Sequence, residues 1–226
     1  MVSHSVLGIH DRPDYKRDDV ADLRFRALVS SADWAMLPAA VQTRFSKRLN
    51  EGASAVYIGR VTAIQYSRLG FILAQALRIV GAPLPTIKSA GVATVVTVTE
   101  DQTSGGQIWT RMYGRTRGFP QVIHSVKRFS GPTGLEEYIG HGLGMALAIS
   151  VEGSALVFRS QHYFFEANFV GTRRHRLKIP GWLTPGHITV KHFETRPGAF
   201  LFTLELSHAV FGTLVRQDAH YHQEML

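Results

Sequence analysis

Phe200-Leu201-Phe202-Thr203-Leu204-Glu205-Leu206-Ser207 decides the fold. Phe200, Phe202, Leu204 and Leu206 share one parity while Leu201, Thr203, Glu205 and Ser207 share the other, which is the period of a half-buried strand. Arg196-Pro197-Gly198 turns the chain before this stretch, and the alternation resumes at 213–221. The stretch is therefore one arm of a hairpin series.

Working outward, strand-length segments recur at 92–99, 107–115, 121–129, a short piece at 135–138, 142–151, 155–165, 174–179 and 187–196, then 199–208 and 213–221. Turn signals separate them, among them Arg117-Gly118-Phe119-Pro120 and Glu152-Gly153, and no long helix intervenes. This pattern predicts a curved antiparallel meander of about nine or ten strands forming a barrel-like or half-barrel shell. The segment 180–186, rich in Pro and Gly, breaks the rhythm and is expected to cover an end or edge of the sheet.

Upstream, Leu37, Val41, Phe45 and Leu49 are spaced four apart and predict an amphipathic helix over 37–49. A first strand is expected over 53–65, with a bulge near Gly59, and a second helix over 67–80 carries Leu69, Ile72, Leu73, Ala76 and Leu77 on one stripe. Residues 1–30 read as a loosely ordered arm, so the chain divides into that arm and a single helix-capped β domain over 31–226. The class is α+β, mainly β, with helices closing one mouth of the sheet.

The 226 residues, 45% hydrophobic and 19% charged, suit one folded domain. Zero cysteines remove disulfides, thiolate catalysis and cysteine zinc sites, and fit a reducing compartment. The N-terminal residues hold no apolar run of signal-peptide length, and 69–84 is broken by Gln75, Arg78, Gly81 and Pro83, which points to a cytoplasmic protein. A net charge of +8 favours an anionic partner: phosphate groups, nucleic acid or an acidic membrane surface.

The strand faces mix aromatic and cationic residues. Trp109, Arg111 and Tyr113 share one parity, and Phe158, Ser160, His162 and Phe164 share another against Val157, Arg159, Gln161 and Tyr163. Such faces suit a cavity for a molecule apolar along its length and anionic at its head, because a buried cation needs a carboxylate from the protein or a ligand. Trp109, Tyr113, Phe158, Phe164, Phe200 and Phe202 are the expected walls, and Arg111, Arg159 and His162 the polar contacts. Parity does not say which face lies inside; solvent-facing arginines are the alternative.

Motifs of higher chemical content are weak. Gly140-His141-Gly142-Leu143-Gly144 lacks the third glycine of a dinucleotide fingerprint, since Met145 follows, and it enters a strand. Asp218, His220 and His222 share one strand face and could ligate a metal, but the spacing is common by chance. His192 and Glu194 share parity as a conceivable acid–base dyad, with His124 as another base, whereas Glu136-Glu137 and Glu100-Asp101 read as solvated turns. Trp109, Arg111, Tyr113 and Arg115 could stack bases on an open sheet, yet the basic residues form no single stripe, which argues against nucleic acid. No cofactor motif is present.

Leu37-Pro38-Ala39-Ala40-Val41-Gln42, Gly59-Arg60-Val61 before an apolar helix and Gly81-Ala82-Pro83-Leu84-Pro85 are a first set of landmarks. Trp109-Thr110-Arg111, Leu177-Lys178-Ile179-Pro180, Trp182-Leu183-Thr184-Pro185 and Phe211-Gly212-Thr213-Leu214-Val215-Arg216 follow in order. In this order the chain resembles the bacterial domain of unknown function 4166 over about 35–222. The resemblance implies a domain found alone or beside a nucleotide-binding oxidoreductase domain, which would then be a partner; it brings no catalytic residues. The expectation is binding or carrying of a hydrophobic, anionic small molecule of fatty acyl or isoprenoid type. The alternatives are an enzyme using the same cavity for acid–base chemistry or hydrolysis, and a positive surface module for acidic lipid or nucleic acid.

Overall fold

The computed structural model describes residues 22–47, 49, 52–79, 81, 84–168 and 174–224. Eleven strands alternate along it: β1 (Ser54–Tyr66), β2 (Ala93–Asp101), β3 (Gly106–Tyr113), β4 (Gln121–Arg128), β5 (Glu136–Gly140), β6 (Leu143–Glu152), β7 (Ala155–Asn168), β8 (Arg174–Lys178), β9 (His187–Arg196), β10 (Ala199–His208) and β11 (Gly212–Glu224). Each of β1 to β7 pairs with the next, β7 pairs also with β9, and β9-β10-β11 returns to β1. Ten strands thus close an antiparallel barrel, and β8 hydrogen-bonds β7 outside the ring. Closure pairs the ring strands on both sides and leaves little open edge.

One residue per strand pair of positions faces inward, as the period of two requires. The interior receives Val96 and Val98 from β2, Trp109, Arg111 and Tyr113 from β3, Ile123, Ser125 and Lys127 from β4, and Phe202, Leu204 and Leu206 from β10. Two irregularities change faces. In β1 the register shifts between Val61 and Ala63, so the bulge falls at Thr62 and not near Gly59. Gly59 instead gives space to its neighbour: a Cβ there would lie 2.6 Å from the Tyr221 ring. In β7 the shift opposite Ala146 and Leu147 inserts Gln161, so Phe158 and Tyr163 face inward while His162 and Phe164 turn outward.

The two barrel ends are closed differently. At the lower end a 3-10 turn (Arg26–Leu28), α1 (Ser31–Met36) and α2 (Ala39–Ser46) insert Phe25, Trp34, Val41 and Phe45 as a plug. The helix expected over 37–49 is thus shorter and preceded by a second one. The break has a local cause: Pro38 holds Leu37 extended, with ψ 143°, and Ser30 caps α1 by accepting from the Asp33 amide at 3.0 Å. Of the arm expected over 1–30, residues 22–30 are described: Phe25 is buried, meeting Phe45 at 5.3 Å and Phe129 at 4.8 Å, while Leu23, Arg26, Ala27 and Ser30 are exposed; residues 1–21 lie outside the described ones.

At the upper end α3 (Arg68–Leu77) lies across the mouth, capped by Ser67, whose hydroxyl accepts from the Gly70 amide at 3.0 Å. Helix α3 packs against β11 so closely that a Cβ on Gly70 would stand 1.9 Å from the Leu214 carbonyl oxygen. Ala74, Leu77 and Leu84 join Leu206, Leu214 and Val215 beneath it. The segment 180–186 forms a 3-10 turn (Gly181–Leu183) at the same end, as expected of a cover. The glycines around His141 make the β5–β6 turn: Gly140, His141 and Gly142 all have positive φ, at 138°, 41° and 80°. Among the described residues no helix is long and apolar enough to cross a membrane.

Candidate functional site

Arg111 points into the barrel. Its side chain is 12% exposed, and its Nη1 donates to the Ser125 hydroxyl at 3.0 Å, while Nη2 lies 3.6 Å from Glu137. Lys127, one inward position below Ser125 on β4, places its Nζ 2.8 Å from the other Glu137 oxygen. Two cations and one carboxylate therefore form a charged layer across the barrel. Burial by itself would raise the Glu137 carboxyl, but the charges of Lys127 and Arg111 and hydrogen bonds from Lys127 and Ser125 overcome it and hold the group at about 2. For Lys127 burial wins and lowers its affinity for a proton, with Glu137 opposing and Arg111 assisting.

Above this layer is a cavity of about 180 Å³. Its sides are apolar, with Ile123, Ile139, Leu143, Met145, Ile188, Val190 and Leu204, and its upper rim is Leu77, Leu84, Pro85, Leu183 and Pro185. Tyr113 and Tyr163 add hydroxyls to the lining. Burial pushes the Tyr163 phenol up to about 12, so it remains a neutral donor. A space of this size holds a small ring or a short chain, by comparison with a cavity of ~150 Å³ that takes benzene. A longer molecule would have to emerge at the rim.

Below the layer only about 10 Å³ remains, bounded by Trp109, Leu147, Phe158, His192 and Phe202. His192 is enclosed by aromatic rings, Phe202 at 4.8 Å, Phe45 at 5.1 Å and Phe158 at 5.5 Å, and its Nδ1 has no hydrogen-bond partner. Burial, then the positive charges of Arg44, Lys127 and Arg111, pushes its pKa well below the ordinary value. It is a neutral core histidine. Glu194 turns instead to the β9–β10 connection and accepts from the Gly198 amide at 3.3 Å, so the expected His192–Glu194 dyad does not form.

The expected site residues therefore separate into groups. Arg111 and Tyr113 line the upper cavity; Trp109, Phe158 and Phe202 pack below its charged floor; Phe200 lies at the plug, where the Arg44 guanidinium sits 5.0 Å from its ring. Arg159, His162 and Phe164 are outside the barrel. Arg159 bonds Glu152 and, at 2.9 Å, Ser150, whereas Phe164 is covered by Arg176 at 4.2 Å and has His162 beside it at 6.5 Å. Exposed His124 shares a hydrogen bond with Thr110 at 3.0 Å. Asp218 faces Arg216 at 3.9 Å, and among the described residues no group of three, His220 and His222 included, is arranged to hold a metal. Trp109, Arg111 and Tyr113 have no open face on which bases could stack.

Lys127, Ser125, Glu137 and Tyr163 were missed as site residues. The signal existed in part: Gln121, Ile123, Ser125 and Lys127 share the inward parity of β4. The sequence places Glu136 and Glu137 in a solvated turn, but both lie in β5 and are buried, Glu137 inward and Glu136 under Arg176. Their adjacency disguised them, since each satisfies a cation on a different side of the sheet.

In comparison with known proteins, the family described as "Domain of unknown function (DUF4166)" matches residues 37–221. No curated protein and no solved structure matches.

Proposed function

The chain belongs to the DUF4166 family, and from its geometry we propose that it binds a small hydrophobic molecule with an anionic head, of fatty acyl or isoprenoid type. The observation that carries this is Arg111, a cation facing an apolar cavity in a layer where two cations share one carboxylate. A carboxylate or phosphate oxygen above Arg111 would accept its remaining N–H groups and supply the missing negative charge. The apolar part would then run along Ile123, Ile188 and Leu204 toward the rim at Leu84 and Leu183. Tyr113 and Tyr163 add orientation rather than charge. A binder or carrier is the reading favoured over an enzyme, because His192 is held neutral, is ringed by aromatics, and its Nδ1 makes no hydrogen bond to a carboxylate.

Calorimetric titration with decanoate and with 1-decanol tests the reading. Decanoate should bind more tightly, and Arg111→Met should weaken it by about 10- to 100-fold, the equivalent of ~1.5–3 kcal/mol for a charge-assisted hydrogen bond. Decanol affinity should change little. Equal affinity for acid and alcohol, or an Arg111→Met protein that binds decanoate like the parent, would overturn the assignment.

A further inference from the structure

The upper end of the barrel differs from the rest of the surface in two ways at once. Strands β1, β3, β5, β7 and β10 run toward it, so the described residues of the connections 67–92, 114–120, 141–142, 174–186 (with β8) and 209–211 gather there. Their tips expose large apolar side chains: Phe119 at 92%, Ile79 at 86%, Trp182 at 80%, with Val210, Phe211 and Leu183 also more than half exposed. At the plug end only Leu23 and Met36 do so among the described residues. The same five connections contain no Asp or Glu. Arg68, Arg78, Lys88, Arg115, Arg117 and Lys178 are exposed among them, and no described carboxylate lies within 4 Å of any of the six.

From this we infer that the upper end docks on an anionic lipid surface, with Phe119, Ile79 and Trp182 entering the interface and the arginines and lysines meeting acidic headgroups. Apolar tips interleaved with cations that no carboxylate pairs, on connections that carry no Asp or Glu, are the combination that interfacial binding requires. A purely polyanionic partner such as nucleic acid would leave the apolar tips without a counterpart, and a second copy of this end would set cations against cations. Leu183 belongs both to the exposed rim and to the cavity lining. Docking therefore brings the cavity mouth to the bilayer, the source or destination of an amphiphile held at Arg111; that use rests on the proposed function, whereas docking itself does not.

Trp182 provides the measurement, because Trp34 and Trp109 are buried and it is the exposed one of three. Vesicles of phosphatidylcholine with about 30% phosphatidylserine should blue-shift its emission and float the protein, and phosphatidylcholine alone should do so at least tenfold more weakly. Raising salt from about 0.1 to 1 M, which shortens the screening length from ~10 to ~3 Å, should reverse most of the binding. Ile79→Ser with Phe119→Ser should release the protein, Met36→Ser at the plug should not, and Arg111→Met should dock normally whether or not it binds decanoate. Unshifted emission with acidic vesicles would overturn the inference. So would Met36→Ser releasing the protein as fully as the upper pair, tighter binding to an oligonucleotide than to vesicles, or a stable dimer abolished by the upper pair.

Discussion

His192 shows how a titratable side chain becomes part of a core. It fills the space between Phe45, Phe158 and Phe202 as another ring would, and three cations nearby, Arg44, Lys127 and Arg111, oppose its protonation. Its folded pKa is depressed, so the unfolded chain takes up a proton below about 6.5 that the folded chain refuses. The stability His192 contributes is present above that value and declines as pH falls. His192→Phe should therefore flatten the pH dependence of the urea midpoint between pH 7 and 5, about the window of an ordinary imidazole; an unchanged slope would assign the dependence elsewhere. Glu137 acts lower on the scale: held at about 2 against an ordinary 4.5, it stabilises the fold above 4.5 and loses that effect toward 2. Neither environment could be read from sequence. His192 and Glu194 share parity, but the end of β9 carries Glu194 to a turn while His192 stays among rings.

At the scale of elements, α3 is held to the barrel by a missing side chain. Gly70 lets the helix approach the β11 backbone at Leu214, so Gly70→Ala should lift α3 and cost about 1–3 kcal/mol through overpacking. Gly181→Ala, at the same end but with open space around its Cβ position, should be close to neutral in a thermal melt. Equal shifts for the two would mean that the Gly70 contact is unimportant. The helix itself was legible: its apolar stripe places it within a few residues of where it lies. The strands were legible too, because hydrophobic alternation and turn residues are local. What alternation could not reveal is an inserted residue. Gln161 in β7 turned His162 and Phe164 out of the barrel, and the shift at Thr62 occurred in a stretch whose visible irregularity, Gly59, has a different cause.

For the whole molecule, the two ends are built differently. The plug stabilises: Phe25 is fully buried against Phe45, Phe129 and Phe158, so Phe25→Ala should cost about 3–5 kcal/mol in chemical unfolding. The layer of Arg111, Lys127 and Glu137 separates that plug from the upper cavity, so decanoate affinity of the folded variant should be nearly unchanged. A parallel loss of affinity would mean that the two ends are coupled. The sequence by itself determined the strands, the two helical regions, the antiparallel order and the aromatic–cationic character of β3, because each depends on periods and turns within a few residues. Only the tertiary structure decided that the sheet closes through the pairings of β1 with β11 and of β7 with β9, that Arg111 faces inward beside Lys127 and Glu137, and that the acid-free connections meet around one mouth. Closure joins residues distant in the chain, and period two marks two faces without saying which one the ring encloses.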